Sequence, residues 1–200
     1  MAKLKLTKNE LKKQKDSLKR FQRYLPTLLL KKQQLQAEIR SVDNHVSELQ
    51  KKKEDTDKDF KKWISIFCED GVFTPDILKI SELKSGEGNV AGVSIPIFES
   101  VDFNVVQYDM IEKPLWLDLA VSNMKKILSL DMELKCLEEQ QRRLRKELQT
   151  TSQRVNLFEK IKIPEAKSNI KKIGIFLGDQ QTAAVVRGKI SKRGLEKKAE

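Results

Sequence analysis

Apolar residues recur along the first third of the chain in alternating steps of three and four. One column reads Leu4, Leu11, Leu18, Leu25, Ile39, Val46, Phe60 and Phe67; a second reads Phe21, Leu28, Leu35, Val42, Leu49 and Trp63. A repeat of 3.5 residues keeps one narrow stripe facing a partner helix over many turns, the pattern of a coiled coil rather than of a globular helix. Gln14, Lys32, Lys53 and Thr56 interrupt the seam; polar seam residues lower stability but fix register. Taken as one helix, Leu4–Phe67 would rise about 95 Å. Pro26 lies inside it, removing the bond to the Gln22 carbonyl and crowding that oxygen at about 3 kcal/mol in an undisturbed helix. A kink over Gln22–Pro26 is expected, or alternatively two helices.

The helical period stops between Cys68 and Pro114, where Gly71, Pro75, Gly86, Gly88, Gly92, Pro96 and Pro114 are concentrated. Val93, Ile95 and Ile97 alternate with smaller or polar residues, and Val101, Phe103 and Val105 do the same after Glu99-Ser100. The pattern predicts a hairpin of two short strands over about 90–106 with its turn at Glu99-Ser100, Pro96 confining the first strand to an edge. A lone hairpin is marginal in water, so it must lean on the helices or on a partner.

Pro114 suits the first position of a second long helix. Its seam reads Ile127, Leu130, Leu134, Leu137, Gln141, Leu144, Leu148, Thr151, Val155 and Phe158. Each stripe is most economically covered by the other, and the compact connection makes the pair antiparallel, with the hairpin at or beside the turn and Trp63 meeting Trp116 there. An intermolecular coiled coil is the competing arrangement. The expected fold is mainly α: a long antiparallel two-helix coiled-coil hairpin with a small β-hairpin insert, divided as residues 1–67, 68–113 and 114–200. Beyond Phe158 the register drifts through Ile161, Ile163, Ile170, Ile173 and Leu177; Pro164, Gly174 and Gly178 argue against a straight helix, and the basic tip should fray.

Composition agrees with long helices: 38% of residues are hydrophobic, 34% are charged and eight are Gly. The net charge of +11 predicts attraction to something acidic. Residues 1–23 carry nine basic and two acidic side chains and residues 160–200 carry eleven and four, so an antiparallel pair gathers a net +14 at its open end. The 68–113 segment is acidic, nine against three. No apolar run approaches the roughly 20 residues of a bilayer span, and no signal peptide is recognisable. Cys68 and Cys136 are too few for a disulfide framework, and a reducing, intracellular compartment is expected.

Catalytic chemistry finds little support. There is no phosphate-cradling loop of the G-x-x-x-x-G-K-[ST] type and no ligand spacing for a metal. His45, the one histidine, sits at the seam's edge, and Glu138-Glu139 lie beside Arg142 and Arg143 where helical salt links are the simplest reading. Nor is there a zinc finger, an RNA-recognition signature or aromatic side chains interleaved with the lysines.

The run RVNLFEKIKIPEAKSNIKKIGIFLGDQQTAAVVRGKISKR, with Arg154-Val155-Asn156, Phe158-Glu159-Lys160, Ile163-Pro164, Ile170, Ile173 and a basic ending, resembles the C-terminal signature of the D subunits of V-type ATPases and ATP synthases. The opening LTKNELKKQKDSLKRFQRYLPTLLLKKQQL is similar to that family's first helix. The resemblance implies a non-catalytic central rotor shaft that binds no cofactor. It also implies, as partners, the ring subunits A and B around both termini, the stalk's F subunit beside the shaft, and the funnel subunit (C/d type) above the membrane ring. No nucleic acid or membrane insertion is expected, and the shaft would be cytoplasmic and peripheral to the membrane. Lys12, Lys13, Arg20, Arg23, Arg187, Lys189, Lys192 and Arg193 are then the expected ring bearing, joined by Arg154 and Asn156 of the signature. Ile95, Ile97, Phe103 and Val105 are expected to contact the F subunit or tune hydrolysis, or else only to cap the coiled coil. A prefoldin-like chaperone and a coiled-coil RNA-binding arm are the rival classes; the first predicts apolar tips, the second salt-sensitive RNA binding.

Overall fold

The computed structural model describes residues 4–63, 77–106, 114 and 116–199, the side chains of Trp63 and of residues 195–199 excepted. Helix α1 is Lys8–Trp63, strands β1 and β2 are Leu78–Val90 and Val93–Val105, and helix α2 is Trp116–Asn156. A π-helical turn, Leu157–Lys162, leads into α3, Ile163–Ala199. The fold is that of a helical hairpin with a two-stranded antiparallel insert between its helices. Phe67, Cys68, Gly71 and Pro75, the indole of Trp63 and hence its meeting with Trp116 lie outside the described residues. Two compact units are distinguishable: residues 32–149, and residues 1–31 with 150–200.

In the first of these, Leu35 and Ile39 pack on Leu144 and Leu148, and Leu49 packs on Leu134 and Leu137. Rising positions on α1 meet falling positions on α2, so the helices are antiparallel. The interruptions of the seam acquire partners. Lys53 reaches Asp131 at 2.6 Å, and its ammonium pKa is raised by that hydrogen bond first and by the charge of Asp131 second. Asp43 accepts from the Gln141 amide and pairs with Arg145 at 3.4 Å. Along α1, each seam position from Leu11 to Phe60, polar ones included, is buried or half-buried.

The hairpin differs from its expected place. Val93–Ile97 and Val101–Val105 belong to one strand, β2, and its partner β1 was not visible in the alternation. Lys79, Glu82, Lys84, Ser85, Gly86, Gly88 and Asn89 give β1 little strand propensity; pairing with β2 makes it a strand. The turn is Ala91-Gly92, both with positive φ (50° and 79°), and the Gly92 N–H donates to the Asn89 side chain at 3.0 Å. Two left-handed residues match the twist of the flanking strands, which a Glu99-Ser100 turn could not. Glu99 is instead an extra residue, a bulge, as Ser81 is on β1.

That bulge has a packing purpose. By the pairing register, Val93, Ile95 and Ile97 share one face of the ribbon, whereas Val101, Phe103 and Val105 share the other. Yet Ile95 packs on Leu35, Ile39 and Leu144, and Phe103 and Val105 pack with Leu78 on Leu117 and Val121. A two-stranded ribbon twists strongly, so a fixed face rotates away from a straight support; the bulge exchanges faces part-way and keeps apolar side chains on the helices. Thirteen residues at ~3.3 Å match the ~40 Å rise of α2 from Leu117 to Leu144. On the side of β2 away from β1, the Pro96 carbonyl accepts from Cys136 Sγ (3.5 Å) and Gln140 Nε2 (2.5 Å), and the Ser94 carbonyl accepts from Arg143 at 3.2 Å. The missing N–H of Pro96 therefore removes nothing from the ladder.

In the second unit, Phe21 stacks on Phe158 with ring centroids 5.3 Å apart. Gln14, Ser17 and Phe21 share a groove with Lys162, Glu165, Ala166 and Asn169. Helix α1 passes through Pro26 as one element, which removes the two-helix alternative; Leu25 and Leu28 stay half-buried in the seam on either side and offset the lost bond. Helix α3 likewise passes unbroken through Gly174 and Gly178 and on to Ala199. The irregularity falls before Pro164 instead. Ile163 N–H donates to Phe158 O, five residues back, and the widened turn relieves the crowding of Pro164 on the Lys160 carbonyl and leaves Pro164 in the first turn of α3, where no N–H is needed. The inserted residue turns Ile161 outward, while Val155, Ala166 and Ile173 continue the buried line.

Candidate protein-binding surfaces

The start of α1 is set by Thr7, whose hydroxyl accepts from the Glu10 N–H at 3.3 Å while its carbonyl accepts from Leu11 N–H at 3.0 Å. Past it, basic residues occupy the outward faces. Lys12, Lys13, Arg20 and Arg23 are all exposed. Lys12 lines a groove of about 480 Å³ with Lys8, Leu11, Lys15, Asp16, Leu18, Lys19 and Gln22; Lys13, Arg20 and Arg23 do not line it. The lysines at 8, 15 and 19 escaped a selection made on charge density, although their place in the heptad, beside Leu11 and Leu18, would have found them.

On the other helix of the same unit, Arg154 and Asn156 are exposed on the last turn of α2. Arg187, Lys189, Lys192 and Arg193 are exposed on the distal part of α3, where every described residue from Gly178 to Gly194 is exposed. This stretch holds large apolar side chains in the open, Ile190 at 65% among them.

The four hairpin residues divide. Ile95 is buried at 7% in the core against Leu35, Ile39 and Leu144 and offers no surface to a partner. Phe103 and Val105 are partly buried on Leu117 and Val121, which leaves Ile97 as the outward one. Elsewhere, His45 is half-exposed, 4.0 Å from Glu133. Burial pushes the Cys136 thiol pKa up, the opposite of an activated nucleophile. Among the described residues there is no group of three His, Cys, Asp or Glu that could hold a metal, and no helix long and apolar enough to cross a membrane.

The surfaces on offer are thus extended, charged faces of paired helices, suited to holding proteins rather than small molecules. The sequence matches the family of ATP synthase D subunits over residues 10–193. The chain belongs to that family. Similar proteins include the D subunit of the V-type ATP synthase of Borreliella burgdorferi, 50% identical over 198 residues that cover 99% of this chain and 98% of the relative. The corresponding D subunits of Chlamydia pneumoniae (34% over 197 residues, 96% and 93% covered) and Chlamydia trachomatis serovar L2 (33% over 204 residues, 98% and 98%) also match end to end.

In this member of the D-subunit family, Glu139 is, among the described residues, the carboxylate most perturbed by its neighbours. It accepts from Arg142 at 2.6 and 2.8 Å and from Arg143 at 2.8 Å, and those hydrogen bonds, Arg142's first, hold its pKa at about 2 against an ordinary 4.5. A depressed carboxylate contributes stability that is present above pH 4.5 and lost as pH falls through about 2. Glu139→Gln should therefore flatten the acid limb of the stability profile inside that window. A Glu139 carboxyl resonance titrating at the ordinary value would show the forked link is not held in solution.

Proposed function

We propose that the chain is the non-catalytic central shaft of a V-type rotary ATP synthase or ATPase. It transmits torque between the nucleotide-handling ring of subunits A and B and the membrane rotor, on the cytoplasmic side. It binds no nucleotide itself. The F subunit is its companion in the stalk, and the funnel subunit (C/d type) is its seat on the membrane ring. One observation carries the reading beyond family membership: in each unit the helices are antiparallel, and in residues 32–149 they are tied across the seam by Asp43 with Gln141 and Arg145 and by Lys53 with Asp131. A shaft under torque needs helices that do not slide, and polar seam contacts resist sliding where apolar ones tolerate it.

The basic side chains suit a bearing. Directional, buried hydrogen bonds would create deep rotational stops, whereas long, exposed Lys and Arg side chains exchange acidic partners at little cost. Lys12, Lys13, Arg20, Arg23, Arg187, Lys189, Lys192 and Arg193, with Arg154 and Asn156, form the ring-facing end in this reading. In the same reading the exposed Ile97 is the hairpin residue that contacts the F subunit, its 46% exposure being the support for it. Co-purification with tagged ring subunits is the test: recovery of the chain together with the F subunit is expected, and recovery with neither the ring nor the F subunit would overturn the proposal.

A further inference from the structure

Glycine is distributed among the helices in a way that their packing does not explain. Helix α1, of 56 residues, contains none, and α2, of 41, contains none, whereas α3 holds Gly174, Gly178, Gly188 and Gly194 in 37. A Cβ added at any of these four would meet nothing within 4 Å, and none of them has a positive φ. In the hairpin, by contrast, Gly92 has a φ of 79° and Gly88 lies close against Ile97. Alanine would fit at every glycine of α3. Its absence has a cost, because each glycine lowers the equilibrium constant for helix formation roughly five-fold relative to alanine.

Gly178, Gly188 and Gly194 fall in the stretch where every described residue is exposed. That stretch also carries the β-branched Thr182, Val185, Val186 and Ile190, which are weaker helix formers than alanine or leucine. The Thr182 hydroxyl donates to the Gly178 carbonyl at 3.1 Å, a back-bond that loosens a helix slightly. Ile173 is buried and Phe176 and Leu177 are half-buried; beyond them the helix rests on its own backbone bonds. At ~100° per residue, Gly188 lies ~80° round the axis from Gly178 in one direction and Gly194 ~160° in the other. Close approach of another chain would call for small residues in one column. Scattered round the axis, these glycines act through the backbone.

Resting on the reading of the chain as a shaft whose end is enclosed by other subunits, we infer that residues 178–194 are a conditional helix: a segment held near the midpoint of its own helix–coil equilibrium, which completes its helix as the complex encloses it. A helix of this length without tertiary support is marginal even for good helix formers, and the glycines remove what excess stability it would have. The continuous helix to Ala199 is the ordered side of that equilibrium. The shaft then has a glycine-free paired body and an end that can yield while it is threaded into its surroundings, the ordering cost being met on engagement.

The test uses the full chain, free and in the assembled complex, with amide hydrogen exchange and affinity for the rest of the complex as readouts. In the free chain the amides of 178–194 should exchange within a few-fold of the unstructured rate while those around Leu144 stay protected, and assembly should slow the former at least ten-fold. G178A/G188A/G194A should raise protection of the free segment by tens of fold, yet improve affinity by no more than about two-fold, since about half of the molecules are already helical. A183G/A184G, at two exposed alanines, should weaken affinity roughly ten-fold. Adding the three alanines to that variant should restore it. Strong protection of the segment in the free wild-type chain, or no loss from A183G/A184G, would overturn the conditional helix. Weaker binding by G178A/G188A/G194A would overturn it as well, by showing that a neighbour packs against the glycines themselves. Failure of the wild-type chain to join the complex would overturn the shaft reading, and this inference with it.

Discussion

Leu144→Ala is expected to destabilise the chain by about 2–5 kcal/mol, the range for deleting a fully buried leucine when its surroundings collapse only in part. Leu144 has no exposed surface and joins three elements, touching the cluster of Leu35 and Ile39 from α1 and Ile95 from β2. Its loss should weaken the helix pair and the hairpin tip together, so amide exchange in Val93–Ile95 should accelerate with unfolding of the helices. Denaturant unfolding followed by circular dichroism measures the first effect. Ile97→Ala, at a side chain that is 46% exposed, is the comparison and should cost under ~1 kcal/mol. A Leu144→Ala change as mild as that would mean the cluster is not a structural junction.

Truncation after Leu177 should produce the reverse pattern, with little change in the stability of the isolated chain and a large loss of function. Residues 178–194 are all exposed, so deleting them removes little of the described packing. A helical segment that exposes this much of its surface is marginal in water. Val185 (59%) and Ile190 (65%) on such a segment are unfavourable unless something in the complex covers them. ATP turnover of the reconstituted complex should fall at least ten-fold, about 1.4 kcal/mol of lost interaction. Unchanged coupled turnover would show that the distal part of α3 is not gripped.

The helical seam was legible because its period is local: every position from Leu11 to Phe60 can be assigned by counting, and burial follows the count. Strand β1 was not, because most of its residues favour no strand; pairing with β2 makes it one. Glu99 misled for a related reason. A bulge and a turn both interrupt alternation, and only the register across strands tells them apart. Pro164 did carry a local signal, since a proline following a seam must either break the helix or be accommodated one turn earlier. The surface was less legible than the core. Charge density singled out Lys12, Lys13, Arg20 and Arg23, whereas the structure sorts lysines by column and gathers Lys8, Lys12, Lys15 and Lys19. Ile95, expected either to meet the F subunit or to cap the coiled coil, is buried with Leu35, Ile39 and Leu144, a placement that alternation alone could not distinguish.

The ties across residues 32–149 also answer a question of degeneracy. A seam that repeats every seven residues is nearly as well filled after one helix moves by about 10 Å, a whole heptad, along the other. Hydrophobic contact alone would therefore offer the pair a ladder of near-equivalent alignments. Asp43 removes that choice: shifted by seven, its carboxylate would face Leu134 or Leu148 in place of Gln141 and lose its hydrogen bond in a half-buried site. One aspartate thus makes the native alignment unique among positions the leucines cannot tell apart.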